Sequence, residues 1–175
     1  MSGMGLALRV TAAQAEKAKR LVAVAALEKV SLIQVRAANV SAAGCPVKNL
    51  LNEKLMPTAS VSLIPNTNRL RVVWDHVMHG RREAKGLTEV QVDATFELVF
   101  SFPADMDPAP TQEELQAFAD GNAMMNCWPY WRELVQSMVA RMNLPPFVVP
   151  LLRYVPEKKK KPEDVQSKAE ESKSK

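Results

Sequence analysis

The most constraining feature of this sequence is a regular alternation of apolar and polar residues that ends at Phe102. The even positions are all apolar and comprise Val90, Val92, Ala94, Phe96, Leu98, Phe100 and Phe102. The odd positions from Glu89 to Ser101 are polar except for Val99. A two-residue period over this length is typical of a β-strand with one buried and one solvated face. The chain therefore needs a sheet with one covered face, which is the usual state of antiparallel sheets.

Three segments upstream predict further strands of the same sheet. The first strand begins at Glu28, after which the apolar residues of 33–37 alternate with polar ones. Apolar residues also alternate with serines over 59–63, and residues 65–68 supply a turn. The strand that follows the turn carries Leu70, Val72, Trp74 and Met78 on one face. The last two segments therefore predict a β-hairpin.

The covering layer is predicted to be helical, since no strand pattern continues beyond Pro103. Thr111 and Glu114 have the spacing of a capping box and predict a short helix through Phe118. Gly121 and its neighbour Asn122 would break or bend this helix. Pro129 then either kinks a continuous helix or lies in the first turn of a second one.

The helix after Pro129 carries more apolar surface than one sheet face requires. Its apolar positions are Trp131, Leu134, Val135, Met138 and Met142, and Asn143 with Pro145 and Pro146 ends it. This pattern is typical of an amphipathic core helix. The surplus favours a subunit contact, a client groove or both.

The first 27 residues predict a helical extension. Residues 11–27 are rich in alanine and charged residues without a helix breaker, and the apolar stripe would consist of Ala15, Ala18, Val22 and Ala25. Basic residues before an apolar run are typical of signal peptides, but here the run is short and a charged residue follows it at once. We therefore expect a cytoplasmic protein.

A long connection, residues 39–58, separates the first predicted strand from the hairpin. It contains Gly44, Pro46 and Pro57, yet it is rich in apolar residues for a loop. One structural interpretation is a short helix packed on the core.

Composition argues against several functional classes. Cys45 and Cys127 are the only cysteines, and His76 and His79 are the only histidines, so neither a disulfide framework nor a zinc site is indicated. In a strand the two histidines would lie on opposite faces. The sequence contains no glycine-rich phosphate loop, no nucleophile beside a base and no carboxylate pair. We therefore expect no enzyme activity, no catalytic residues, no cofactor and no metal.

Residues 156–175 predict a disordered charged tail, since Lys, Glu, Ser and Pro dominate and Val165 is the sole core-forming residue. No apolar run approaches the length of a membrane span. The lysine run 158–161 has no interleaved aromatic residues, so nucleic-acid binding is not expected.

The predicted order of strand, long apolar connection, hairpin, strong fourth strand and helix resembles the protein-export chaperone family SecB over residues 28–155. The tract Pro129, Tyr130, Trp131, Arg132, Glu133 resembles the Pro-Tyr-Ala-Arg-Glu of that family. The end of the helix at residues 144–146, Leu-Pro-Pro, resembles the family's Leu-Pro-Pro ending. Pro129, Tyr130, Arg132 and Glu133 are expected to be architectural.

The resemblance implies an α+β fold, in which helices pack on one face of a four-stranded antiparallel sheet. It also implies a homotetramer that is a dimer of dimers. The implied function is an ATP-independent holdase that binds unfolded preproteins and passes them to the translocase motor SecA. Methionine suits a surface that accepts many sequences. The expected client-binding residues are Leu50, Leu51, Leu55, Met56, Met138 and Met142.

Three departures qualify this interpretation. At two of the family's acidic docking positions this chain has Leu32 and Arg36, so only Asp93 is left for docking to SecA. The family's final helix has no clear counterpart because prolines interrupt the region after residue 145. The helical extension 1–27 lies outside the family pattern, and we expect it to pack where the missing helix would have lined the groove.

Two alternatives remain open. The protein could be a SecB-like chaperone dedicated to one client, such as the antitoxin of a toxin-antitoxin system. It could also be an oligomeric adaptor without chaperone activity, whose apolar helix is used entirely for self-assembly.

Overall fold

The computed structural model describes residues 7–8, 12–39, 51–55, 58–81, 88–144, 146–147, 149 and 151–154. The strands are β1 (Ala7–Leu8), β2 (Ala26–Asn39), β3 (Leu51–Leu55), β4 (Thr58–Leu63), β5 (Arg69–Arg81), β6 (Thr88–Ser101) and β7 (Arg153–Tyr154). The helices are α1 (Ala12–Val22), α2 (Gln112–Phe118) and α3 (Met124–Arg141), and a π-helical turn, Ala119–Ala123, joins α2 to α3.

The main sheet is antiparallel and has four strand positions. Its order is β2, β6, β5, and the fourth position is shared end to end by β4 and β3. β4 pairs with the first half of β5, from Leu63 opposite Leu70 to Thr58 opposite Asp75. β3 pairs with the end of β5, where Leu55 lies opposite Met78. The predicted four-stranded antiparallel sheet is therefore confirmed.

The long connection differs from the expected short helix, because residues 51–55 form the strand β3. β5 continues beyond the end of its pairing with β4, so its last backbone amides and carbonyls need other partners. Strand β3 supplies them along the same edge. The expectation of a helix was therefore wrong for these five residues, and residues 40–50 and 56–57 lie outside the described part of the chain.

The alternation that opened the sequence analysis is confirmed in β6. Each even residue from Val90 to Phe100 is buried, and the odd residues from Gln91 to Val99 are partly exposed on the other face. β6 lies between β2 and β5, so it is a central strand. The covered face packs against α3 and the elements attached to it.

The predicted helix start and hairpin turn also form. The backbone N–H of Glu114 donates to Oγ1 of Thr111 at 3.3 Å, and the N–H of Thr111 donates to Oε2 of Glu114 at 2.8 Å. The two hydrogen bonds complete the capping box. The hairpin turn contains Asn66 at φ 56°, a left-handed conformation that asparagine tolerates better than most residues.

The helical layer is continuous from α2 through the π-helical turn into α3. The N–H of Met124 donates to the carbonyl of Ala119, five residues back, which is the spacing of a π-helix. Gly121 and Asn122 lie in this turn, at the predicted break. Pro129 is inside α3, so the prediction of a continuous helix holds rather than a new start at the proline.

α1 is a helix as predicted, but it ends at Val22 instead of residue 27, because residues 26 and 27 belong to β2. A different face of the helix is also buried. Leu21 is fully buried whereas Val22 is 46% exposed, so assigning Val22 to the apolar stripe was wrong. The buried face is determined by the position of α2, against which α1 packs. Only the face of α1 that includes Ala18 and Leu21 contacts it. Arg20 lies 2.9 Å from Glu114 in an ion pair that joins the two helices.

A buried aromatic cluster, His76, Trp74, Phe96, Trp128 and Trp131, joins β5 and β6 to α3. The ring of Trp131 stacks on that of His76 with centroids 5.0 Å apart and planes 16° apart. Trp74 and Phe96 approach His76 at 5.9 and 5.8 Å. Burial lowers the pKa of His76 to about 4, against a smaller raising effect of the Asp75 charge.

We expect the Leu21→Ala substitution in α1 to lower the free energy of unfolding by about 2 to 5 kcal/mol, because it removes a fully buried side chain and leaves a cavity. Val22→Ala is the matched control, with an expected change within about 0.5 kcal/mol since its side chain is half exposed. Urea denaturation of the two variants measures the difference. Equal losses would show that α1 is not packed through Leu21.

We expect stability to fall as pH drops from about 6.5 to 4, since the unfolded chain takes up a proton at His76 that the folded chain resists. The contribution is about 3 kcal/mol at 1.36 kcal/mol per pKa unit. His76→Phe should reduce this slope, and the remainder comes from carboxylates such as Glu97 whose pKa is lowered in the fold, whereas His79→Phe on the opposite face should leave the slope as in the wild type. Unfolding at several pH values tests the prediction, and an unchanged slope in His76→Phe contradicts it.

Candidate functional site

The predicted client-binding residues fall into two groups in the structure. Leu50 and Met56 lie outside the described residues. Leu51 and Leu55 are the two ends of β3, where the structure describes the backbone but not these side chains. Met138 and Met142, at the end of α3, are partly buried and pack against the core. The structure therefore places β3 at the sheet edge and the two methionines on α3. The role of all six residues in client binding stays a prediction.

The two methionines lie on one side of the last turns of α3, since residues four apart share a helix face. Val135 and Val139 nearby are fully buried, whereas Met138 and Met142 keep part of their surface exposed. Flexible side chains at the border between core and solvent can adapt to different apolar partners.

A segment that sequence reasoning did not assign lies beside α3. We call it the C-terminal strap and define it as the described residues of 146–154. Phe147 and Val149 of the strap belong to the buried core. Nε of Arg132 in α3 donates a hydrogen bond to the carbonyl of Val149 at 3.0 Å. The signal in the sequence was the apolar pair Phe147 and Val149, but the prolines around it pointed only to the absence of a helix.

The four expected architectural residues occupy the first half of α3. Pro129, Tyr130 and Glu133 are exposed, and Tyr130 is exposed by 48%. Arg132 is partly buried and binds the strap. An architectural role fits Arg132 directly, whereas for the other three residues it stays a prediction within the chain.

Asp93 lies on the solvated face of the sheet, in the middle of β6. Nε2 of Gln91 donates to its Oδ2 at 2.5 Å. Its Oδ1 is shielded from solvent and has no hydrogen-bond partner among the described residues. Arg36 of β2 is the register partner of Asp93 on the neighbouring strand. The carboxylate expected to dock SecA is therefore partly enclosed by its own sheet.

Two other acids of the sheet, Glu97 and Glu28, are paired with bases. Glu97 contacts Arg71 and, at 3.7 Å, Lys29. The hydrogen bond from Arg71 lowers the pKa of Glu97 below its usual value. Arg69 lies 2.8 Å from Glu28. The charges of these two acids are therefore balanced within the sheet by Arg71, Lys29 and Arg69.

β2 is an outer strand of the sheet and presents unpaired apolar surface. Among the strands that the structure describes, β2 pairs with β6 alone, so it lies at the edge of the described sheet. Leu27, Leu32, Ile33 and Val35 along it are each at least 40% exposed. Leu32 and Arg36, the substitutes for the family's acids, both lie on this strand. An exposed apolar strand edge of this kind fits a protein contact.

The described residues contain no group of three or more side chains suited to hold a metal ion. Nε2 of His76 lies 3.4 Å from Sγ of Cys127, but both are in the core, and burial raises the pKa of Cys127 to about 12. A thiol that stays protonated is a poor nucleophile and metal ligand. His79 lies on the other face of the sheet, as expected. Within the same described ranges, no helix has the length and hydropathy needed to cross a membrane.

Comparison with known proteins identifies a similar chaperone structure. No family model matches the chain, and no curated protein matches it either. Among solved structures, the chain is similar to the SecB-like chaperone Rv1957 of Mycobacterium tuberculosis, solved in complex with a ChAD peptide from the HigA1 antitoxin Rv1956. The TM-score is 0.70 at 26% sequence identity, covering 80% of this chain and 99% of that chain.

A protein of unknown function from Streptococcus agalactiae is also similar at 10% identity, covering 73% of this chain and 97% of that one. Its TM-score of 0.39 carries no argument about fold or function. The resemblance to SecB that the sequence suggested is thus confirmed by the tertiary structure, and the chain is SecB-like.

Proposed function

We propose that this protein is an ATP-independent chaperone that holds extended segments of a non-native polypeptide in the cytoplasm. The observation that carries the proposal is the likeness over 80% of the chain to a SecB-like chaperone solved with a bound peptide. The partly exposed Met138 and Met142 beside a buried core give a physical basis for such binding. An apolar contact does not require a particular polar or charged group on the client. We therefore expect binding that tolerates many client sequences.

A dedicated client is favoured over general export. The peptide in the similar structure comes from an antitoxin, which supports the alternative of a chaperone for one antitoxin. Transfer of preproteins to SecA has weaker support, because Glu97 and Glu28 are paired and Asp93 is partly enclosed. A basic docking partner would have to compete with these internal pairs.

The proposed assembly is a homotetramer, a dimer of dimers, with β2 as one contact. The exposed Leu32, Ile33 and Val35, on this outer strand of the described sheet, would be covered by the same strand of a second copy. A twofold contact of this kind places identical surfaces against each other. An adaptor without chaperone activity would share this assembly but would not bind unfolded chains.

Purified protein in several-fold molar excess is expected to slow the aggregation of an unfolded antitoxin or a chemically denatured model protein without nucleotide. The physical reason is that exposed apolar segments become covered instead of associating with each other. Light scattering after dilution from denaturant measures the effect. A tetramer that leaves the aggregation rate unchanged would favour the adaptor function.

Met138→Gln combined with Met142→Gln is expected to weaken client binding by about tenfold or more, because each change replaces apolar contact surface with an amide. Met125→Gln is the matched control, since this methionine of α3 is 49% exposed on the outer side of the helix. Fluorescence anisotropy with a labelled unfolded client provides the affinities. Equal affinities for the double variant and the control would exclude these methionines from the site.

A further inference from the structure

The apolar face of the sheet continues past the helices at the end of the β4–β5 hairpin. Leu63, the last residue of β4, lies opposite Leu70 of β5, so the two side chains are on the same covered face. Leu70 is fully buried, whereas Leu63 is 47% exposed. The described helices therefore leave this end of the apolar face open to solvent.

A recess lies at this open end, between the hairpin turn and the loop that leads from β6 to α2. We call it the hairpin recess, and its volume is about 210 Å³. Phe102 in its lining belongs to the core, where its ring centroid lies 6.3 Å from that of Phe118. Leu63, Met106 and Pro110 are further apolar lining residues. The recess is therefore an open extension of the hydrophobic core.

The volume of the recess limits the group that can fill it. An apolar cavity of about 150 Å³ in a protein core is large enough to bind one benzene molecule. The hairpin recess is somewhat larger and is open to solvent at Leu63. One aromatic or branched aliphatic side chain is therefore a group of the right size and polarity to fill it.

Hydrogen bonds hold both walls of the recess in place. Nη1 of Arg20 in α1 donates to the carbonyl of Pro108 in the loop at 2.6 Å. Nε and Nη2 of the same guanidinium donate to the two carboxylate oxygens of Glu114 at 3.1 and 2.9 Å. On the hairpin side, the N–H of Phe102 donates to the carbonyl of Asn68 at 2.8 Å. Because the walls are already ordered, a ligand loses less free energy in ordering them.

The loop wall carries two acidic side chains, Asp105 and Asp107, on either side of Met106 in the sequence. Both are exposed, and neither forms an ion pair within the described ranges of the chain. Arg20, which contacts the same loop, is paired with Glu114. Two unpaired carboxylates beside an apolar recess favour an apolar group with a basic neighbour and disfavour one with an acidic neighbour.

We propose that the hairpin recess docks a partner protein through one apolar side chain that has a lysine or arginine next to it. A single anchor side chain in a pocket, with charges at the rim, is typical of selective recognition. Client binding that tolerates many sequences requires the opposite, so the occupant is a defined partner and not a client. Met138 and Met142 do not line the recess, so the inference does not depend on the proposed function.

The first test uses the full wild-type chain and two probes, acetyl-Phe-Lys-amide and acetyl-Phe-Glu-amide. Methyl NMR follows the side chains of Leu63 and Met106 during each titration, since an aromatic ring in the recess shifts both signals. We expect the lysine probe to bind about fivefold or more tightly than the glutamate probe. Unshifted methyl signals, or equal affinities for the two probes, would overturn the proposal.

The second test removes the rim charges. Asp105→Asn combined with Asp107→Asn should give the two probes equal affinities, while the lysine probe still shifts the Met106 methyl signal. Asp75→Asn is the control, since this exposed aspartate lies in β5 and does not line the recess. Its preference for the lysine probe should match that of the wild type. A preference that survives in the double variant contradicts the role of the two aspartates.

The third test removes one wall of the recess. Leu63→Ser should bind the lysine probe about fivefold or more weakly than Leu151→Ser, a matched exposed leucine outside the recess. Equal affinities would count against the site. Sedimentation should give Leu63→Ser the same mass as the wild type. A smaller mass would mean that a second copy of the chain covers the recess, which overturns the proposal of a different partner.

The last test separates this site from the proposed client contact. A chemically denatured model protein is added in excess to the wild type with the lysine probe bound. Retention of the probe supports a separate docking site, and its release overturns the proposal because the recess is then a client site. If the probe binds as expected but the protein does not slow the aggregation of any unfolded client, the recess stands and the chaperone function fails.

Discussion

The contact between Trp131 and His76 is the constraint on which the covering layer depends. It joins a central part of β5 to the middle of α3, with Trp74, Phe96 and Trp128 around it. Because aromatic rings are large and rigid, their packing fixes the rotation of the helix over the sheet. His76 is accommodated there in its neutral form, since burial disfavours the imidazolium. A charged residue at this position would separate the two layers.

Once α3 is fixed, the two sides of the protein have different roles. The covered face of the sheet is used for the core, and the solvated face neutralises its own charges through pairs such as Arg71 with Glu97. The surface left for partners is at the margins. The edge of β2 exposes apolar side chains, and the end of α3 exposes part of two methionines. These two margins are the surfaces to which the proposed self-association and the proposed client contact are assigned.

The sequence predicted the helices and strands with a regular apolar period well. It predicted less well the segments whose structure depends on a distant partner. β6 and the capping box at Thr111 were predictable because a two-residue period and a local hydrogen-bond motif need no knowledge of distant residues. The strand β3 was not, since its apolar residues fit a helix until the unpaired end of β5 is known. The choice of Leu21 over Val22 as the buried residue likewise depends on the position of α2. For the candidate site, the methionines remain a prediction from composition and spacing, whereas the hydrogen bond between Arg132 and Val149 could not be predicted because it joins residues that are distant in the sequence.

By itself the sequence determined a one-sided antiparallel sheet, a helical cover and the resemblance to SecB, because these follow from local periodicity and from short residue tracts. The tertiary structure alone decided that β3 and β4 share one edge, that α1 packs through Leu21, and that Val149 lies against Arg132 of α3. Each of these depends on a backbone group or an apolar surface that becomes available only after a distant element has taken its place. Local sequence patterns indicate which side chains are buried. Only the assembled fold determines which other residues they pack against.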